Sequence, residues 1–190
     1  NKDVNERINE GDGNYTLDDD IEISQQISDN IDGGYSSRIS AAINKLIENG
    51  SEVFSMSKLK IYSPKFLSIL KKLKNEEVIG SHLIYSQFRS IEGIGILKEI
   101  LNYNGFVEFK IIKKAGQWRL DINPNDIGKP TYALYTGTEE KEVKEIVRNI
   151  FNSNWDDLNN GLVNDLNQIH ENNHYGEIIK CIMITSSGAE

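Results

Sequence analysis

The sequence predicts an open α/β domain with a mostly parallel sheet and helices on both faces, a three-layer arrangement. Three observations predict it. Beyond Gly80, short apolar runs alternate with stretches whose apolar residues recur at helical spacing. Turns between them are short, so successive strands are joined through the intervening helices and run parallel. The run Ile178-Ile-Lys-Cys-Ile-Met-Ile184 is apolar on both faces, the mark of a strand in the middle of a covered sheet.

The elements follow in order. Residues 1–34 are polar and acidic, carry Gly11, Gly13, Gly33 and Gly34, and show little periodicity, so they are expected to be a flexible segment. Consecutive aspartates at Asp18, Asp19 and Asp20 fit a solvated acidic stretch better than a cation site, because they cannot easily converge on one ion. Residues 35–76 form a helical lead-in. Ile39, Ala42, Ile43, Leu46 and Ile47 share one helical stripe ending at Asn49-Gly50, and Val53 to Ile61 is ambiguous. Ser63-Pro64 reads as an N-cap with proline in the first turn, opening a helix buried through Phe66, Leu67, Ile69, Leu70 and Leu73. Its lysines Lys65, Lys71, Lys72 and Lys74 suit a solvated face, with phosphate tracking as the alternative.

Residues 77–190 hold the α/β domain. His82–Tyr85 is a strand, and Ile91–Tyr103 is a helix with Gly105 as its C-cap. Phe106–Ile112 is a second strand that continues through Ala115-Gly116 into a hairpin with Trp118–Leu120. Tyr132–Tyr135 is a third strand and Glu139–Phe151 a helix buried through Val143, Ile146, Val147 and Ile150. A weaker helix and a polar loop occupy Asp156–Asn173, and Ile178–Thr185 is the fourth strand.

Net charge is −8, which argues against a nucleic-acid partner until its distribution is read. Residues 1–32 hold ten acids and two bases, and the remainder balances at 19 of each, so the acidity belongs to the leading segment. The sequence has no run of about 18 apolar residues and opens with no basic-then-apolar leader, so an intracellular protein without a membrane span is expected. Both ends, Asn1 and Gly188-Ala189-Glu190, look like cuts in a longer chain. The single cysteine, Cys181, lies in an apolar run and is expected to be a reduced core residue. His170 and His174 near Cys181 raise zinc, but no fourth ligand is evident, and no metal site is expected. Gly93-Ile94-Gly95 lacks the third glycine of a dinucleotide fingerprint and is better explained by helix packing. No nucleophile elbow accompanies Ser86 or Ser187.

Ligands of such sheets collect at the carboxyl ends of the strands. Three ends here carry small hydroxyl, amide or glycine residues: Ser86-Gln87-Phe88, Thr136-Gly137-Thr138 and Thr185-Ser186-Ser187-Gly188. Short hydroxyls and exposed backbone N–H groups can grip phosphates without reading bases, although serine, threonine and glycine also end strands that bind nothing.

The residues in these places resemble known motifs. His82-Leu-Ile-Tyr-Ser-Gln-Phe88 resembles motif IV of superfamily 2 helicases in its Swi/Snf-like form, and Tyr132-Ala-Leu-Tyr-Thr-Gly137 resembles the strand-then-helix segment after it. Cys181-Ile-Met-Ile-Thr-Ser-Ser-Gly-Ala-Glu190 is similar to the start of motif V. With Tyr62-Ser-Pro-Lys-Phe66 and Ile91-Glu-Gly-Ile-Gly95 added, the phrasing resembles the helicases of large nucleocytoplasmic DNA viruses, a group that includes the poxvirus early transcription factor small subunit and nucleoside triphosphatase I. The resemblance runs from about Tyr35 to Glu190 and leaves the acidic segment uncovered. It implies the second RecA-like domain of an NTP-dependent helicase or translocase, cut short within motif V. It also implies that Ser86, Gln87 and Phe88 lie near the nucleic-acid track, that Thr136 and Gly137 meet one strand's backbone, and that Thr185, Ser186 and Ser187 contact phosphate. Gly188 and Glu190 would border the nucleotide cleft.

Nothing in the sequence matches the G-x-x-x-x-G-K-[ST] phosphate loop, an Asp-Glu box or an arginine-rich motif VI. No catalytic residue is therefore expected in this chain. ATP and Mg²⁺ would belong to the parent protein, held with the first RecA-like domain of that chain. DNA or RNA and viral transcription machinery are the implied partners, and the virion or host cytoplasm the implied setting. The rival expectation is a non-catalytic α/β module that docks transcription or packaging partners.

Overall fold

The computed structural model describes residues 34–88 and 93–189. The acidic segment, but for Gly34, and the first residues of the helix expected from Ile91 lie outside the described residues. The chain divides between Ser40 and Ala41 into two units. Of the first, residues 34–40 are described, all helical, as the opening of α1 (Gly34–Glu48).

In the second unit the ambiguous stretch resolves into two short helices, α2 (Gly50–Val53) and α3 (Met56–Tyr62). Phe54 and Leu59 anchor them, 4% and 2% exposed. Helix α4 (Pro64–Lys74) starts as its sequence requires, with Ser63 Oγ accepting the Phe66 N–H at 3.4 Å and Pro64 where no N–H partner exists. Leu67, Leu70 and Leu73 are its buried stripe, and Lys65, Lys71, Lys72 and Lys74 are exposed. There follow strand β1 (His82–Tyr85), helix α5 (Ile94–Tyr103), strand β2 (Val107–Glu108), the hairpin strands β3 (Ile111–Lys114) and β4 (Gln117–Leu120), strand β5 (Thr131–Tyr135), helices α6 (Lys141–Phe151) and α7 (Asn160–Asn167), strand β6 (Cys181–Ile184) and helix α8 (Ser186–Ala189).

The main sheet is parallel throughout, in the order β1-β6-β5-β2. Period-two alternation gives the two central strands, β5 and β6, two covered faces, while the edge strand β1 leaves Leu83 and Tyr85 exposed. Tyr132, Cys181 and Met183 pack with Ile94, Leu97, Ile100 and Leu101 of α5 and with the leucines of α3 and α4. Ala133 and Ile182, one residue out of phase, pack with Ile146, Val147 and Ile150 of α6 and Leu162 and Leu166 of α7. The domain is thus the α/β sandwich expected, with β6 central. Travel from β1 to β2 runs across one face through α5, and the return from β5 to β6 runs across the other. A reversal of direction with a change of face keeps both crossovers the same hand.

One expected strand is corrected. Phe106–Ile112 does not run as a single strand: Val107–Glu108 joins the parallel sheet, and Ile111–Lys114 turns away to pair with Gln117–Leu120. Phe109 still donates its N–H to Tyr132 at 2.7 Å, but Lys110 already accepts from Asp121. Lys113 and Lys114 cannot be buried inside a covered sheet, whereas a hairpin leaves them in water. The turn itself is as expected, Ala115 and Gly116 having φ of 49° and 79°, as a type I′ turn requires. The helix expected from Glu139 begins at Lys141 with Glu140 as N-cap, and Gly105 follows the C-cap residue Asn104.

The hairpin is clamped to α7. Arg119 Nε and Nη2 each donate to Asp165 at 2.6 Å, and the Leu120 N–H adds a third bond at 3.1 Å. The Arg119 guanidinium, with that N–H, holds the Asp165 carboxyl below the usual carboxylate range despite partial burial. A depressed folded pKa contributes stability that is present above the unfolded value of about 3.9 and lost as pH falls through the folded one. Asp165→Asn should therefore lower the thermal midpoint at pH 7, with the gap to the native chain closing only below about pH 4; a gap that stays constant to pH 2.5 would refute the assignment.

Asn173, 1% exposed, ties down the loop that enters β6. Its Nδ2 donates to Phe151 O at 3.0 Å and Ile179 O at 3.2 Å. Its Oδ1 accepts the N–H groups of Ile178 and Ile179 at 2.8 and 2.7 Å. Asn173→Ala orphans buried backbone groups at once and should cost about 3 kcal/mol or more in urea unfolding; a loss under about 0.5 kcal/mol would mean that other contacts fix the loop.

Candidate nucleic-acid interface

Strand register decides whether the three hydroxyl-bearing loops share a site. Tyr85 lies opposite Ile184, and Ile184 opposite Tyr135, so β1, β6 and β5 end at the same level. Ser86, Thr185 and Thr136 are the next residues on three adjacent strands. The structure therefore brings all three sequence-identified loops to one rim of the sheet. The chain leaving β1 goes to the α5 face and the chain leaving β5 to the α6 face, with β6 between them. Parallel sheets open a ligand crevice where flanking connections diverge in this way.

Backbone bonds join the loops. Ser86 N–H donates to Ile184 O at 3.1 Å and Thr185 N–H to Tyr135 O at 3.4 Å. Two glycines make the close approaches possible. A Cβ on Gly188 would lie 1.9 Å from the Tyr135 carbonyl oxygen, and one on Gly93 would lie 1.8 Å from that of Phe88. The small residue at Gly93 thus serves the rim and not helix-to-helix packing: the Phe88 carbonyl it leaves room for accepts the N–H of Ile94, the first residue of α5, at 3.0 Å.

The candidate residues differ in what they present. Gln87, Phe88 and Gly137 are exposed, Phe88 by 43%. Ser86 and Ser186 are half-buried. Thr136 and Thr185 are 3% and 1% exposed, so their side chains face the protein. Ser187 and Gly188 lie in α8, Gly188 buried, and Glu190 is outside the described residues. Ser86 Oγ accepts the Phe88 N–H and reaches the Phe88 carbonyl, both at 3.1 Å, and so folds its own loop.

Glu139, expected only as the first residue of a helix, lies ahead of α6. Its carboxylate occupies the β5 loop: the Thr136 N–H donates to Oε2 at 2.5 Å, and the Thr136 and Thr138 hydroxyls lie 3.0 and 3.2 Å from Oε1. The signal was Thr136-Gly-Thr-Glu139, the T-x-x-E spacing of a capping box, set here just ahead of the helix.

Electrostatically the rim is unusual for a phosphate site. Residues 86–88, 136–139 and 185–188 include no lysine or arginine and one acid, Glu139, while Arg89 follows outside the described residues. The cation seen against β5 is Lys144, whose Nζ sits 5.4 Å from the Tyr135 ring centre. Below the rim, burial pushes the Cys181 thiol up to about 12, which leaves it an inert core group. Among the described residues no group of three His, Cys, Asp or Glu side chains could hold a metal ion, and no helix is long and apolar enough to cross a membrane.

Fold and rim together define a class: a parallel α/β domain whose carboxyl-end rim is built largely from short hydroxyl residues and glycines on three adjacent strands. Over 136 residues, 72% of its length, the chain is 26% identical to a protein of Acanthamoeba polyphaga mimivirus named "Putative ATP-dependent RNA helicase R563". It spans 18% of that protein's length. No family model and no solved structure matches the chain.

Gly188→Ala and Gly93→Ala should each lower the unfolding free energy by about 1–3 kcal/mol, because each methyl meets backbone that must move. Unchanged urea midpoints would show that the rim loops yield freely.

Proposed function

We propose that this chain is the nucleic-acid-gripping part of an NTP-dependent helicase or translocase of a large DNA virus, corresponding to its second RecA-like domain. In this reading residues 1–34 are an acidic appendage, residues 35–76 a helical lead-in and residues 77–190 the motor domain. The observation that carries it is the alignment of three motif-like loops on adjacent parallel strands, in the order motif IV, following segment, motif V. The similarity to a viral protein named as an ATP-dependent RNA helicase supports the same reading.

Each loop has a part. Phe88 and Gln87 are exposed next to β1, where an aromatic face stacks on a base and an amide bonds to phosphate or sugar. Gly137 and the start of α8 offer backbone N–H groups at close range. Ser186 and Ser187 act at phosphate, and Gly188 lets α8 approach β5 and borders the nucleotide cleft together with Glu190. A grip of hydroxyls and backbone N–H groups is indifferent to base sequence, as a motor that travels along any strand requires.

ATP and Mg²⁺ act in the parent protein. The sequence has no phosphate loop, and among the described residues no carboxylate cluster gathers, so the groups that would hold them are assigned to the first RecA-like domain of the parent. No hydrolytic step is assigned here. The implied partners are DNA or RNA, the first RecA-like domain of the parent and the viral transcription machinery, in the virion or the host cytoplasm.

Fluorescence anisotropy with a labelled single-stranded oligonucleotide tests the grip. Phe88→Ala should weaken binding by about 1–3 kcal/mol for one lost stack, and Gln87→Ala by less. Contacts from neutral groups release no counterions, so the Phe88→Ala loss should be the same at low and high salt. Binding by neither native chain nor parent, together with NTP turnover that nucleic acid fails to stimulate, would favour the docking module instead.

A further inference from the structure

The β5 loop already holds an anion, and that anion is the protein's own. We infer that Glu139 is an internal stand-in for phosphate, and that nucleic acid seats on the β5 loop by displacing its carboxylate. The inference rests on the reading of the rim as a phosphate grip and concerns how that grip is regulated.

The geometry is that of an oxyanion receptor. One backbone N–H and two hydroxyls converge on a single carboxylate: Thr136 N–H on Oε2 at 2.5 Å, Thr136 Oγ1 on Oε1 at 3.0 Å and Thr138 Oγ1 on Oε1 at 3.2 Å. The two hydroxyls also touch each other at 2.8 Å, and Thr136 Oγ1 accepts the Thr138 N–H at 3.4 Å. Each hydroxyl has one proton, so the pair can rotate to serve whichever acceptor is present. A phosphate oxygen pair presents the same charge and nearly the same acceptor spacing as a carboxylate.

A helix-capping role alone explains less. The helix begins at Lys141, its N-cap is Glu140, and that residue makes no side-chain cap. The Glu139 carboxylate bonds instead to the loop behind it, at the carboxyl end of β5 and level with Ser86 and Thr185. It is half-buried and Thr138 and Gly137 beside it are exposed, so its departure would open to solvent the Thr136 donors that it covers, Thr136 being 3% exposed with the carboxylate in place. Glu139 also lines a cavity of about 250 Å³ shared with Lys110, Val143 and Leu134. A displaced side chain has that space to enter, although its walls carry the acids Glu108 and Asp121 as well as Lys110, which is paired with Glu108 at 3.4 Å.

While Glu139 occupies the loop, its charge repels any phosphate approaching the rim. A like charge placed against a ligand costs affinity directly. Displacement exchanges one anion for another on the same donors, so the exchange is close to neutral and reversible, which suits a contact that must be made and released at every step along a strand.

Glu139→Gln in the full chain tests this, with Glu140→Gln as a control of equal charge change on a side chain that caps nothing. Two readouts are used: anisotropy with a labelled single-stranded oligonucleotide, and backbone amide shifts of Thr136, Gly137 and Thr138 on titration with inorganic phosphate. Glu139→Gln should bind the oligonucleotide about tenfold more tightly than Glu140→Gln, and phosphate should shift the three amides in Glu139→Gln at concentrations that leave the native chain unchanged. Adding Thr138→Ala to Glu139→Gln should remove most of the gain. Equal affinity of the two charge variants, or no phosphate response at the three amides, overturns the inference while leaving nucleic-acid binding by the rim intact. A phosphate response without oligonucleotide binding by any form keeps the stand-in and removes the nucleic-acid reading.

Discussion

The rim depends on the register of one strand, β6. It is hydrogen-bonded to β1 on one side and β5 on the other, and covered on both faces. A slip of one residue would carry Cys181 and Met183 to the α6 face and Ile182 to the α5 face, and would shift Thr185 out of line with Ser86 and Thr136. Both ends resist that slip. Before the strand, Asn173 satisfies the backbone of Ile178 and Ile179, and the Thr131 hydroxyl donates to the Ile178 carbonyl. After it, Gly188 is wedged against the Tyr135 carbonyl. The level ends of three strands are thus a consequence of interior packing together with the anchors at both ends of β6.

That dependence explains how much was legible in the sequence. Patterns with a fixed period survive translation into structure, so β1, α4, β5 and α6 were readable within a few residues, and the two-faced apolar run at Ile178–Ile184 gave away the central strand. Phe106–Ile112 was misread because alternation cannot report which partner a strand chooses. The choice turned on Lys113 and Lys114, whose charges belong in water, and on a two-residue turn able to close locally. The helices α2 and α3 were opaque for another reason: each is too short to display a period, and Phe54 and Leu59 hold them by tertiary contact.

The candidate site was legible as a list of loops but not as a set of bonds. Strand order was needed to make neighbours of Ser86, Thr136 and Thr185, which lie far apart in the chain. Burial then separated residues that the sequence treats alike. Phe88 and Gln87 face water, while the Thr136 and Thr185 side chains are interior. Nor does a hydroxyl at a strand end announce its partner: Ser86 spends its hydrogen bonds on Phe88, and Thr136 spends its own on Glu139.

Those internal bonds bear on what the rim can do. A receptor left empty would expose a buried N–H and a buried hydroxyl with no acceptor, which costs roughly 1–3 kcal/mol for each group. Under the proposed function, a loop that binds and releases phosphate cannot fill its donors permanently either. A carboxylate from a side chain three residues away meets both requirements: it satisfies the donors when no ligand is present, and it leaves by rotation about side-chain bonds without unfolding the strand behind it.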